Sequence, residues 1–176
     1  MASPNTHPTQ GTIRPATPSD VPAILGMIRG LAEYEQLTHQ VEATPERLMH
    51  ALFGDRPAAE ALVAEVAGEV IGFALFFTNF STFLALPGLY LEDLYVQPAH
   101  RGHGYGKALL HHLAGIATCR GCGRFEWSVL DWNESAIRFY QSQGADILPD
   151  WRICRVTGER LKQLGQSKGN THPKAQ

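Results

Sequence analysis

The chain is poor in cysteine, in net charge and in long apolar runs, and each shortage closes a class of explanation. Cysteine occurs three times in 176 residues, as Cys119, Cys122 and Cys154. Three thiols cannot all pair with one another, so a reducing compartment is expected. Cys119 and Cys122 have C-x-x-C spacing, but a zinc site takes about four ligands. Neither a second C-x-x-C nor an H-x-x-x-H accompanies them, even with His111 and His112 nearby, and no metal is expected. Lys and Arg number 15 against 17 Asp and Glu, a net charge of −2. That excludes a general nucleic-acid or anionic-membrane binder. No apolar run reaches the roughly 18 residues of a membrane span. Met1–Gly11 is polar and proline-bearing, without the apolar core of a secretory signal. A soluble cytoplasmic protein is expected.

What is present is an ordinary globular composition, 44% hydrophobic and 18% charged, with no internal repeat. The spacing predicts one domain over residues 12–164, between mobile polar tails at 1–11 and 165–176. Thr12–Ala16 reads as a strand. Ser19 or Asp20 caps a helix whose apolar positions Val21, Ile24, Leu25, Ile28 and Leu31 follow the helical period. Thr44-Pro45-Glu46 starts a second helix and Gly54 stops it. Ala61–Val66 and Val70–Phe77 flank Ala67-Gly68-Glu69 as a hairpin. Further strands are predicted at Tyr90–Val96, Arg124–Leu130 and Ile147–Val156. Helices are predicted after Gly106 and from Asn133 to about Ser142, the last ended by Gly144. The order βααβββαβαβ implies an α/β fold, a mixed sheet with helices on both faces.

The densest signal is Arg101-Gly102-His103-Gly104-Tyr105-Gly106, between a strand and the helical pattern Lys107–Ala114. Glycines at alternate positions let backbone N–H groups turn around an anion, and the helix N-terminus adds unpaired N–H groups and the positive dipole end. The spacing is not G-x-G-x-x-G, and no Gly-Lys-Ser/Thr follows, which excludes a Walker loop. A plain glycine-rich turn is the alternative.

Arg101-x-x-Gly104-x-Gly106 resembles the acetyl-CoA signature of the GCN5-related N-acetyltransferase (GNAT) superfamily. Ile13–Thr17, Leu31–Glu35, Leu89–Asp93, Asp131–Glu134 and Phe139-Tyr140 recur around it in order. Together they are similar to the diamine branch, the spermidine/spermine and thialysine N-acetyltransferases, over most of Ile13–Val156. The resemblance implies the GNAT fold: a mostly antiparallel mixed sheet whose strand splay holds acetyl-CoA as co-substrate. It also implies a small-molecule amine as partner and a homodimer.

Amine acetylation needs a group to hold an ammonium and take its proton, and another to protonate the departing thiolate. By resemblance, Glu92 faces the amine as base and anchor, and Tyr140 is the proton donor. Strand alternation sends Glu92 and Asp93 to opposite faces, so they are expected to do different jobs, with Asp93 either structural or functional. Tyr140 lies seven residues beyond Asn133, on the same side of the helix. A core aromatic and a simple N-cap are the plainer roles for Tyr140 and Asn133. The resemblance assigns the coenzyme to backbone of Leu94, Tyr95 and Val96, to the turn Arg101, Gly102, His103, Gly104, Tyr105, Gly106 and Lys107, and to Asn133, Glu134 and Ala136. Tyr34 and Glu35 match amine-contacting positions, and Glu126 and Asp150 are further acids for the cleft. Thr78–Leu89 carries no acid where polyamine enzymes place one, which favours a shorter amine or an amino acid over spermine. A protein-lysine or N-terminal acetyltransferase and a non-catalytic acetyl-CoA sensor are the alternatives.

Overall fold

The computed structural model describes residues 11–166, which fall into two compact units that part between Ser128 and Val129. Apart from Gly11, Gly165 and Gln166, the predicted tails lie outside the described residues.

The first unit is a five-stranded sheet in the order β1-β2-β3-β4-β5. β1 is Thr12–Pro15, β2 Glu60–Val66, β3 Glu69–Ser81, β4 Leu86–Val96 and β5 Arg124–Trp127. Neighbours pair antiparallel until β4 and β5, which run parallel. The β2–β3 hairpin turns through Ala67 and Gly68 with φ of 52° and 83°, the paired positive values of a tight hairpin turn. β3 and β4 run beyond the predicted strands, to a second turn at residues 82–85 that consumes the acid-free segment.

Alternation puts Val63, Phe73 and Tyr95 on one face, where α1 (Val21–Tyr34) and α2 (Pro45–Phe53) bury Ile24, Leu25, Met27, Leu48 and Leu52 against them. Each such side chain contributes about 1.5–3 kcal/mol. Leu62, Ala74 and Phe76 alternate to the opposite face, the face of α3 (Tyr105–Cys119), where Arg120 lies 5.8 Å from the Phe76 ring centre. Helices therefore cover both faces, as the element order implies.

Local chemistry explains the helix ends. Thr44 Oγ1 accepts from Arg47 N at 3.2 Å, with Pro45 in the first turn. α3 ends at Gly121, φ 66°, where Cys122 N donates to the Ala117 carbonyl at 2.9 Å. Asp20 precedes α1 but caps no α1 amide. Its carboxylate accepts from Thr17 N at 2.7 Å and from Arg14 at 2.7 and 2.9 Å, which ties β1 to the start of α1.

The second unit holds α4 (Glu134–Ser142) and α5 (Gly158–Gln166). Asn133 Oδ1 accepts from Ala136 N at 3.2 Å, and Gly144 with φ 90° follows the helix, both as predicted. The predicted strand Ile147–Val156 does not form, and β5 stops at Trp127 rather than Leu130. An extended segment becomes a strand only with a ladder partner, and this one leaves Trp151 and Ile153 exposed. α5 is a helix that the sequence pattern does not predict, because its polar run offers only Leu161 and Leu164 as periodic apolar positions. No helix among the described residues is long and apolar enough to cross a membrane.

The Arg14 guanidinium holds the Asp20 carboxyl down at about 2, against 3.8 for the free side chain. Stabilisation from this pair is complete above 3.8 and lost as pH falls through about 2. Asp20→Asn should lower the unfolding free energy by about 2 kcal/mol at neutral pH. Urea unfolding of both proteins, repeated in acid, should show that difference shrinking.

Candidate active site

The first unit brings three features to β4: an acid cluster, a free strand edge and a glycine turn. The cluster begins with a bulge. Leu75 pairs with Asp93 and Phe76 with Leu91, so Glu92 is an extra residue on β4. The bulge overturns the alternation expected from the sequence. Asp93 aligns with Leu75, whose side chain packs on the α1 face, and Glu92, next to the α3-facing Leu91, points the same way as Asp93. Glu35, just past the end of α1, completes the cluster. Burial pushes the Asp93 carboxyl up from 3.8 to about 6, and the charges of Glu92 and Glu35 add to the rise. Burial raises Glu35 as well. Sequence reasoning left Asp93 open, since a bulge has no signature in alternation.

The free edge starts at the same place. Parallel pairing with β5 covers Gly88–Leu91 and ends there, while β4 continues to Val96. Residues 92–96 therefore have no strand beside them on that side among the described residues, next to the glycine turn that follows β4.

In that turn Gly102 and Gly104 have φ of 79° and 86°, and a Cβ at either would meet nothing within 4 Å. The left-handed values require glycine; the open space leaves the backbone accessible. Gly104 is the N-cap of α3, so the first amides of α3, Tyr105, Gly106 and Lys107 among them, have no intrahelical acceptor. The arrangement can hold an anion. Arg101 is turned elsewhere. Its Nε donates to the Val96 carbonyl at 2.9 Å, and its guanidinium lies 5.3 Å from the ring centres of both Tyr34 and Tyr95. His103 stacks loosely near Tyr105, with ring centres 6.4 Å apart.

Of the remaining predicted residues, Glu126 belongs to the first unit and Tyr140, Glu134 and Asp150 to the second. Glu126 sits on β5 opposite Tyr90, 2.9 Å from Arg124 Nε and 3.4 Å from Asn79 Nδ2. In the second unit, Tyr140 is buried on α4 with its ring 5.2 Å from that of Phe139. Glu134 pairs with Arg138 at 3.0 Å, and Asp150 is exposed in a turn. Among the described residues no group of three or more His, Cys, Asp or Glu could hold a metal.

The raised Asp93 value has a stability consequence of known sign. The folded chain pays for ionising Asp93 above 3.8, so its contribution is present in acid and lost as pH rises through about 6. Asp93→Asn should raise the unfolding free energy by about 1–2 kcal/mol at neutral pH. The gain should vanish in acid, as chemical denaturation at both conditions would read.

Residues 26–145 match the acetyltransferase (GNAT) family. The chain is 39% identical over 163 residues to a thialysine N-epsilon-acetyltransferase of Mus musculus, covering 86% of this chain and 95% of that protein. It is 34% identical over 207 residues to an L-ornithine N5-acetyltransferase of Arabidopsis thaliana, covering 92% and 91%. Among solved structures, an integron cassette protein of V. cholerae aligns with a TM-score of 0.75 at 27% identity, covering 89% of this chain and 98% of that one. The glycine turn, the strand that splays at its bulge and these matches agree: the chain belongs to the GNAT acetyltransferase family and is an N-acetyltransferase.

Proposed function

We propose that the protein transfers an acetyl group from acetyl-CoA directly to the primary amine of a small molecule, a diamine or a thialysine-like amino acid. The observation that carries this reading is the coincidence, at the β4 bulge, of three carboxylates with an unpaired strand edge. Carboxylates suit an ammonium, and the edge suits an amide-bearing arm that adds like a strand. The relatives that acetylate ornithine and thialysine support a small substrate.

In this reading the turn amides from Gly102 to Lys107 hold the pyrophosphate, and backbone of Leu94, Tyr95 and Val96 holds the pantetheine arm. Asn133, Glu134 and Ala136 complete the coenzyme's contacts. Bound acetyl-CoA supplies a thioester carbonyl open to attack by a neutral amine. Glu92 receives the amine as an ammonium, with Tyr34 and Glu35 beside it. Glu92 takes the proton, and Asp93, with its carboxyl near 6, is a second acceptor close to neutrality. Tyr140 gives a proton to the leaving thiolate. Glu126 and Asp150 are further acids for the amine, and the Glu126 carboxylate also pairs with Arg124.

The family match crosses the boundary after Ser128, which supports one functional domain over residues 12–164. A homodimer in the cytoplasm completes the proposal. Trp151 and Ile153 are 76% and 70% exposed, large apolar side chains that a second copy would cover. A protein-directed reading has one observation in its favour, the likeness to a Brucella ribosomal-protein-alanine N-acetyltransferase at 26% identity and a TM-score of 0.68, over 84% of this chain and all of that one. An acetyl-CoA sensor would bind the coenzyme without releasing thiol.

Acetyl-CoA-dependent thiol release should be measured against putrescine, spermidine, spermine, lysine, thialysine and lysine peptides. Amine-dependent release is expected, with Tyr140→Phe lowering kcat by about 100-fold and leaving acetyl-CoA affinity unchanged. Binding without release would favour the sensor, and release with peptides alone the protein-directed reading.

A further inference from the structure

The side chain of Arg101 leaves the glycine turn and reaches the end of α1. Its Nε donates to the Val96 carbonyl at 2.9 Å, and its guanidinium stands 5.3 Å from the ring centres of Tyr34 and Tyr95. Gln97 N donates to the Ile71 carbonyl at 2.9 Å, on the β3 side. Strand alternation therefore turns the Val96 N–H and C=O the other way, to the edge that β5 leaves uncovered. Arg101 thus fills the acceptor at the end of that edge with one nitrogen and meets two aromatic rings with the rest of its fork. A guanidinium suits this double task, because it is planar, always charged and weakly hydrated.

The end of α1 needs such a hold. After Tyr34 the helix closes with Gln36 N donating to the Glu33 carbonyl at 3.1 Å and Leu37 N to that of Ala32 at 2.7 Å. This closing turn puts Gln36 at φ 61°, a left-handed value that strains any residue but glycine. The same turn carries Glu35, whose charge bears on the Asp93 carboxyl. Tyr34 is 41% exposed, so burial alone does not fix its ring against β4. Gly30 lies four residues before Tyr34, on the same helix face. A Cβ at Gly30 would stand 2.7 Å from Tyr95 Oη, so the bare backbone there lets the Tyr95 hydroxyl in. The two tyrosines thus come to one face of α1, and the Arg101 guanidinium meets both.

We propose that Arg101 is a positioning residue for the amine site: it clasps the end of α1 to the edge of β4, so that Tyr34 and Glu35 stand beside Glu92 and Asp93, and its side chain is not a ligand of the coenzyme's phosphates. The proposal rests on the reading that the reacting amine lies at Glu92. It departs from the coenzyme role that the resemblance assigns to Arg101.

Arg101→Gln keeps a polar side chain but removes the charge and the fork. It should raise the KM of the best amine about tenfold and change kcat by less than about threefold. The acetyl-CoA Kd, read by calorimetry, should stay within about twofold of the wild type. Arg101→Lys should recover part of the loss, since an ammonium is still drawn to an aromatic ring but has no fork. Tyr34→Leu should raise the same KM, and the double variant should add little to the larger single effect, because both break one clasp. Weaker acetyl-CoA binding in Arg101→Gln with the amine KM unchanged would make Arg101 a coenzyme ligand and overturn the proposal, as would additive effects of Arg101→Gln and Tyr34→Leu. Hydrogen exchange reads the clasp without turnover. The amides of Glu35, Gln36 and Leu37 should exchange at least about tenfold faster in Arg101→Gln, and unchanged protection would overturn the clasp. Absence of thiol release with every amine would sink the proposed reaction, and the exchange result would still uphold or overturn the clasp.

Discussion

The rest of the structure depends on one extra residue in β4. A regular strand would pair Asp93 out of line with Leu75 and send the carboxylates of Glu92 and Asp93 to opposite faces. The bulge at Glu92 instead leaves both on the side of α1, within electrostatic range of Glu35. At the same residue the parallel ladder to β5 ends. A local twist thus sets two carboxylates beside a length of backbone that β5 leaves uncovered, both on one strand.

A second constraint ties this strand to its neighbours. The Arg101 guanidinium lies 5.3 Å from the ring centres of both Tyr34 and Tyr95 while its Nε bonds to the Val96 carbonyl. Each ring contact contributes about 0.5–1 kcal/mol. The larger consequence is positional, because one side chain connects the end of α1, the end of β4 and the start of the glycine turn. Gly30 permits the arrangement, since any side chain there would displace the Tyr95 hydroxyl. With its head group engaged this way, Arg101 is turned away from the backbone amides of the glycine turn. Raising Asp93 toward neutrality has the opposite sign: it costs stability and yields a carboxylate able to exchange protons near physiological pH.

Local chemistry was legible in the sequence wherever a residue acts on its own backbone. Thr44 and Asn133 at helix starts, Gly144 past a helix end, and Ala67-Gly68 as a turn all stand where the pattern put them. The helical periods of α1 and α3 were equally plain. The glycine turn was readable because left-handed backbone demands glycine at Gly102 and Gly104. Legibility failed where an element needs a distant partner. Ile147–Val156 has the composition of a strand but no ladder, and β5 stops short of Leu130.

The sequence by itself determined the element order as far as α4, the helix starts at Thr44 and Asn133, the glycine turn and the resemblance to the family, because each is written in short spacings or in residue blocks. Only the tertiary structure decided that Glu92 and Asp93 share a face, that Glu35 joins them, and that Arg101 lies against both Tyr34 and Tyr95. Those relations depend on contacts between segments far apart in the chain. A register shift, a burial and a clasp arise only when strands and helices pack, and no local pattern records them.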